Sequence, residues 1–357
     1  MKRIVFTGGG TAGHVMPNVA LFPSLQKEGY EIMYVGSKDG IEKGLIEKLG
    51  IPYYGISSGK LRRYFSWKNF SDPFRVVKGF FEAKKLLKTL KPDVVFSKGG
   101  FVSVPVVFAA KRNKIPCIIH ESDITPGLAN KLALPYATRV CANFPETTDH
   151  ISKKKKVVVT GTPIREELFS GDRQKGLDFC GFQGEKPVLL VVGGSTGAAA
   201  VNNAIRNLLP TLLQEFLVIH LCGKGKTDET KNNIPGYVQF EYISDEMKDL
   251  LAAADVVVSR AGANAICELV ALRKPNILIP LSAEASRGDQ ILNAESFERR
   301  GFSFVLQENE VTNETLLSAV HTVLENREKY VSAMNESKMG DAIATIVSMI
   351  NELADKN

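Results

Sequence analysis

Two glycine-rich turns, each directly behind an apolar strand-like run, constrain this chain most. The first is Gly8-Gly9-Gly10-Thr11-Ala12-Gly13-His14 after Arg3-Ile4-Val5-Phe6-Thr7. The second is Gly193-Gly194-Ser195-Thr196-Gly197-Ala198 after Val188-Leu189-Leu190-Val191-Val192. Glycine lets the backbone turn tightly and approach a ligand, and the N–H groups opening the next helix favour a phosphate or a developing anion. One such turn is common in α/β proteins. Two, one near the start of each half, predict twin α/β domains facing each other across a cleft.

The rest of the chain keeps that rhythm. In the first half, strand candidates fall at 3–7, 31–36, 52–56, 93–97, 116–120 and 138–142, with helical stretches around 41–49, 74–90 and 101–113. In the second half they fall near 187–192, 216–221, 237–241, 255–259, 275–279 and 302–305. Short apolar strands separated by helix-length segments predict parallel sheets covered on both faces, hence two Rossmann-like, doubly wound units. At 357 residues there is chain enough for two such cores. The expected division is 1–160 and 161–339, at Val157-Val158-Val159-Thr160-Gly161-Thr162-Pro163, with 170–186 as a linking stretch. A final segment, 340–357, carries Ile343, Ile346, Met349, Ile350 and Leu353 at helical spacing, suited to packing back on the first domain.

Composition narrows the function. No run approaches the ~20 apolar residues that span a bilayer, and Met1 to Phe6 enters a strand directly, so no cleaved leader is expected. Five cysteines with no C-x-x-C pair read as reduced thiols rather than a disulfide frame or metal site. A net charge of +6 suits an anionic partner. Without aromatic interleaving of the basic residues or a helix-turn-helix or zinc-finger spacing, nucleic acid is not the expected one.

Gly8-x-Gly10-x-x-Gly13 formally matches the dinucleotide pattern, which also needs an acid closing the second strand to hold the ribose. That strand ends Val35-Gly36-Ser37-Lys38, with Asp39 only beyond the turn, so the NAD reading weakens. His14, read as opening a helix, is a candidate general base. His120-Glu121-Ser122-Asp123 closes another strand and should face the same crevice. In the second half, Asn264 and Glu268 share a helical face, and a carboxylate there can take two hydrogen bonds from a ribose diol. Asp289-Gln290 opens a further helix with groups suited to sugar hydroxyls.

Taken in order, Gly9-Gly10-Thr11-Ala12-Gly13-His14, Lys98-Gly99-Gly100-Phe101-Val102-Ser103, His120-Glu121-Ser122-Asp123, Gly161-Thr162-Pro163-Ile164-Arg165, Gly193 to Ala198, Ser259-Arg260-Ala261-Gly262-Ala263 and Asp289-Gln290 resemble the MurG family over nearly the whole chain. That family has the GT-B fold. It moves N-acetylglucosamine from UDP-GlcNAc to lipid I, giving lipid II for peptidoglycan.

The resemblance implies a donor site in the second domain. Arg165 and Ser195 would lie at the diphosphate, Ile243 would present backbone to uracil, and Ala263, Asn264, Ala265, Ile266, Cys267 and Glu268 would line the nucleotide, Glu268 taking the ribose. Gln290 would contact the sugar. From the first domain, Thr11, Ala12 and Gly13 would approach the sugar, with His14, Glu121 and Asp123 as acceptor-side catalytic candidates.

No cofactor and no metal are implied, and no Asp-x-Asp motif occurs. The chain departs from the family at Ala12, Phe101, Ser122-Asp123 and Asp289. A UDP-GlcNAc 2-epimerase, a diacylglycerol glycosyltransferase and a non-catalytic nucleotide-sugar-binding subunit are the competing readings.

A lipid-linked acceptor implies peripheral docking on the cytoplasmic face of the bacterial membrane, with an anionic surface and other cell-wall proteins as candidate partners. Leu61, Arg62, Arg63, Phe65, Trp67 and Lys68 mix aromatic and basic groups as an interfacial surface does. Phe74, Val77, Phe80 and Phe81 follow in the same vein, although a core-facing helix stripe would also explain Val77, Phe80 and Phe81.

Overall fold

The computed structural model describes all residues except 60–67, 153–155, 195–196, 285–286, 338–341 and 357, and for 68–73 it describes the backbone alone. The chain forms two units, Met1–Arg165 with Gly340–Asn357, and Glu166–Met339.

The first unit is built on seven parallel strands: β1 (Arg3–Thr7), β2 (Glu31–Ser37), β3 (Tyr53–Ile56), β4 (Val94–Ser97), β5 (Cys117–Glu121), β6 (Arg139–Ala142) and β7 (Val157–Val159). Their order is β3-β2-β1-β4-β5-β6-β7. The order reverses between β1 and β4, and in such sheets ligands bind outside the strand C-termini at that point. Around the sheet lie α1 (Met16–Val19), α2 (Phe22–Lys27), α3 (Ile41–Glu47), α4 (Lys68–Leu90), α5 (Ser103–Arg112) and α6 (Leu128–Ala133). β1 and β4 are near-continuous apolar runs because both of their faces are covered. Phe6 and Phe96 point to one face, Val5 and Val95 to the other, and all four are fully buried.

The second unit repeats the plan with six parallel strands. These are β8 (Val188–Val192), β9 (Leu217–Leu221), β10 (Tyr237–Phe240), β11 (Val256–Ser259), β12 (Asn276–Leu278) and β13 (Phe304–Val305), in the order β10-β9-β8-β11-β12-β13. Its helices are α7 (Arg173–Phe179), α8 (Ala199–Glu215), α9 (Met247–Ala253), α10 (Ala263–Ala271), α11 (Asp289–Arg299), α12 (Asn313–Glu325) and α13 (Arg327–Asn335). The switch point here falls between β8 and β11.

The last helix, α14 (Ala342–Ala354), belongs to the first unit. Ile346 and Ile350 are fully buried in the core that holds Phe6 and Phe22. Its polar side is stitched down as well. Tyr30 donates to Asn351 Oδ1 at 2.7 Å, and Asn351 Nδ2 donates to Glu28 at 2.6 Å.

Two local features differ from the sequence reading. The stretch 170–186 contains α7, capped by Asp172, whose carboxylate accepts the Lys175 N–H at 3.1 Å. Gly176 lets α7 press onto the backbone of Asp249 in α9, so the segment is part of the second unit's packing rather than a link. The division also comes after Arg165 rather than after 160. Thr160 and Gly161 both donate backbone N–H bonds to Ala142 O, at 2.9 and 3.2 Å, which ties this stretch to the first sheet.

Candidate active site

At the first switch point the turns after β1 and β4 meet. Gly100 has φ +84°, and a Cβ there would strike the carbonyl of Gly9, so the two loops are in backbone contact. Thr11 precedes a single 3-10 turn, Ala12–His14, and α1 begins only at Met16. His14 therefore ends a turn instead of opening a helix. Pro17 sits in the first turn of α1.

Thr11 Oγ1 lies 3.0 Å from His14 Nδ1. Burial first, and the positive charge of Lys98 second, lower the His14 pKa to about 4, against opposing effects of the Gly9 backbone and Glu42. The imidazole is thus neutral at pH 7 and can take a proton. It borders a cavity of about 210 Å3, with Gly10, Thr11, Ser37, Glu42 and Phe101 among its walls.

Beside it, β5 ends in a buried polar knot. Lys98, 1% exposed, donates from Nζ to His120 Nδ1 and to Ser122 Oγ, both at 2.6 Å. His120 Nε2 lies 2.9 Å from Gly161 O, which fixes the tautomer: Nε2 carries the proton and donates, Nδ1 accepts. Burial and the Lys98 charge hold His120 well below the usual histidine range.

Glu121 is a loop organiser in this geometry. Its Oε1 accepts the N–H groups of Ser122 (2.8 Å) and Asp123 (3.1 Å), and its Oε2 those of Gly127 (3.1 Å) and the Asn130 carboxamide (2.8 Å). Burial, then Asp123, push its carboxyl above the ordinary range, while those donors pull it back. The Asp123 carbonyl accepts from Thr147 Oγ1 at 3.3 Å, so this residue rides on the same organised loop.

At the second switch point, β8 runs into Gly193-Gly194, and Ser195 and Thr196 fall outside the described residues. α8 starts at Ala199 behind Ala198, which supplies no side-chain oxygen to the first N–H groups of this 17-residue helix. Lys226 Nζ donates to Gly197 O at 3.1 Å, bringing a cation to that loop.

After β11, Arg260 braces the floor, donating to Ile279 O and Pro280 O at 3.1 and 3.2 Å and pairing with Glu308. α10 then opens behind Gly262. Ala263, Ile266 and Cys267 face the core, whereas Asn264, Ala265 and Glu268 are half-exposed on the other side. Ile266 and Cys267 can therefore meet a ligand through backbone alone. Ile243 is buried in the loop after β10. Gln290, in the first turn of α11, is half-buried, and its Oε1 accepts the Leu281 N–H at 3.0 Å. Arg165 is the half-buried last residue of the first unit.

Sequence reasoning passed over Glu42, Asn130 and any role for Lys98. The signal for Glu42 was the acid missing from the end of β2. For Lys98 it was a lysine closing an otherwise apolar strand. Of the interfacial candidates, Leu61, Arg62, Arg63, Phe65 and Trp67 lie outside the described residues, and for Lys68, which starts α4, only the backbone is described. Further along, Phe74, Val77 and Phe81 are 79%, 55% and 61% exposed, one apolar stripe at i, i+3, i+7. Of the four apolar residues named for this stretch, Phe80 alone turns to the core. A second exposed row, Leu128, Leu132 and Tyr136, lies on and just after α6.

Two parallel sheets of seven and six strands with Rossmann order, each with a glycine turn at its switch point, define a two-unit, doubly wound α/β protein. Residues 4–142 match the glycosyltransferase family 28 N-terminal domain and residues 188–348 its C-terminal domain. The chain belongs to glycosyltransferase family 28 and, within it, to the MurG transferases. It is 68% identical, over 99% of both chains, to the UDP-N-acetylglucosamine--N-acetylmuramyl-(pentapeptide) pyrophosphoryl-undecaprenol N-acetylglucosamine transferase of Lachnoclostridium phytofermentans. It is 62% identical, again over 99% of both, to the protein of the same name from Lachnospira eligens. The crystal structure of Acinetobacter baumannii MurG superposes with a TM-score of 0.75 at 27% identity, over 99% of this chain and 100% of that one.

Proposed function

We propose that this chain moves N-acetylglucosamine from UDP-N-acetylglucosamine to the C4 hydroxyl of the N-acetylmuramic acid in lipid I, forming lipid II and releasing UDP. The observation that carries this reading is 68% identity over 99% of both chains with a relative named for that transfer. That full-length likeness favours the transferase over an epimerase, a diacylglycerol glycosyltransferase or a non-catalytic subunit.

In the reaction, the acceptor hydroxyl gives up its proton as its oxygen bonds to the anomeric carbon, and the bond from that carbon to the diphosphate breaks. His14, neutral and at a cavity, suits the proton acceptor. Glu121 and Asp123 serve by shaping the acceptor-side loop, where Glu121 holds four donors. On the donor side, Glu268 takes the ribose hydroxyls, with Asn264 on the same face. Ala263, Ala265, Ile266 and Cys267 line the nucleotide, and Ile243 meets the uracil. Arg165 and Ser195 attend the diphosphate as it leaves, Gln290 contacts the sugar, and Thr11, Ala12 and Gly13 are assigned to the sugar as well. A fixed positive group and oriented N–H donors at the departing diphosphate lower the barrier most, because charge develops there.

No helix among the described residues is long and apolar enough to cross a membrane. The acceptor's polyprenyl tail would bring the chain to the cytoplasmic face of the bilayer as a peripheral protein. The stripe Phe74, Val77, Phe81, with Arg75, Lys78, Lys84 and Lys85 exposed nearby, suits that surface. The test is purified protein with radiolabelled UDP-N-acetylglucosamine and a lipid I analogue. Chromatography should show label in a disaccharide lipid and equimolar UDP. Free sugar or an epimerised nucleotide sugar as the sole product would refute the transfer.

A further inference from the structure

Three donors converge on Glu42, and none belongs to its own helix. Its Oε2 accepts the Gly10 N–H at 3.1 Å, and its Oε1 accepts the Ser37 N–H at 3.0 Å and the Ser37 hydroxyl. The side chain is fully buried. A Cβ on Gly9 or on Gly40 would run into the Glu42 carboxyl, and one on Gly36 into its Cγ. Glycines on three segments thus leave room for one carboxylate. In a nucleotide-binding unit of this order, the N–H groups of the first turn meet the phosphate. Here a protein anion is already in place.

We propose that Glu42 is a built-in anion in a cradle formed by the Gly10 N–H of the first glycine turn and by Ser37 at the end of β2, keeping nucleotide diphosphates out of the first unit and holding the turn in the shape that presents Thr11 and His14. Carboxylate and phosphate oxygens compete for the same donors, so one excludes the other. The end of β2 is accounted for by the same contact. Its Ser37 is turned to Glu42, where a dinucleotide-binding unit would turn an acid to the ribose. The exclusion needs no catalysis. The positioning role rests on the transferase reading, because turnover reports it.

The full-length chain is compared with Glu42→Ala and Glu42→Gln. With UDP saturating, inorganic pyrophosphate is titrated and followed by phosphorus NMR. Glu42→Ala should bind it at millimolar concentration; the parent chain and Glu42→Gln, whose carboxamide fills the space, should not. Turnover should fall by about 10²-fold in both variants through misplacement of the turn, and excess formate should restore it severalfold in Glu42→Ala alone. No pyrophosphate binding by Glu42→Ala, or turnover in Glu42→Gln equal to the parent's, overturns the proposal. Should Glu42→Ala fold poorly, formate should raise its melting temperature, and an unchanged melting temperature overturns the cradle. A parent chain without transfer activity would refute the transferase reading, while the pyrophosphate titration still decides the cradle.

Discussion

Lys98 Nζ lies 2.6 Å from His120 Nδ1, so a buried ammonium and a buried imidazole share one hydrogen bond in which the histidine accepts. The arrangement requires a neutral His120, whose other nitrogen donates to Gly161 O. It also puts a positive charge near His14. Lys98→Met keeps the shape and removes that charge. With the cation gone, protonating His14 becomes easier and its pKa moves up from about 4 toward 6.5. The acid limb of the kcat/KM profile should therefore rise in pH in the variant. An acid limb at the parent's position would show that His14 does not govern it.

Stability should fall with acid earlier than carboxylates alone would cause. In the unfolded chain, histidines take up protons near pH 6.5. In the folded chain burial holds His14 at about 4, His220 at about 3 and His120 well below the ordinary value. Below pH 6.5 the unfolded state binds more protons, so the stabilisation is complete above 6.5 and is lost as pH drops toward those folded values. Each of the two fully buried histidines, His120 and His220, should cost up to about 1.4 kcal/mol per pH unit across that window. The raised Glu121 carboxyl works in the opposite sense, one group against three. Urea midpoints should be flat from pH 8 to 7 and drop steeply from 6 to 5. A flat profile down to pH 5 would contradict the burial of these imidazoles.

His14→Ala should fold and bind UDP but lose about 10²–10⁴-fold in turnover, the usual contribution of a general base. Its Thr11 contact is a single bond at a half-buried turn, so little stability should go with it. Melting and turnover are measured on one preparation. A lower melting temperature with normal turnover in the folded fraction would make His14 a structural residue.

Most strands were legible because they are short, largely apolar runs closed by glycine, proline or a polar residue, as in Val188 to Val192 before Gly193. Covered sheets leave that mark whatever the tertiary details. α7 was not legible: Arg173-Gln174-Lys175-Gly176-Leu177-Asp178-Phe179 has a glycine in its middle, and its partner, α9, is distant in sequence. The glycine turns could be found because their conformational demands are local. Glu42 and Lys98 could not, since their meaning lies in where distant segments place Gly10, Ser37 and His120.

Glu268→Ala should weaken donor binding by about 2–3 kcal/mol, the value of two hydroxyl hydrogen bonds to a charged acceptor. The side chain is half-exposed on the outer face of α10, clear of the buried Ile266 and Cys267, so the fold should persist. Calorimetry with UDP reads the change. Undiminished UDP affinity would remove Glu268 from the ribose.

Phe74, Val77 and Phe81 form an apolar stripe that a soluble helix would be expected to bury, and the core side of α4 is already supplied by Ala83 and Leu87, which are buried. Replacing all three with Ser leaves that core contact intact. If the stripe dips into the interface to about half the depth of full burial, the three together contribute about 3 kcal/mol. Binding to anionic vesicles should fall accordingly, by roughly two orders of magnitude in affinity. Raising the salt should weaken the parent further, because Arg75, Lys78, Lys84 and Lys85 face solvent on the same helix and act through screened charge. UDP affinity, which the proposed donor site assigns to the second unit, should not change. Sedimentation with vesicles in which the triple variant binds as the parent does would exclude this face of α4 as the membrane contact.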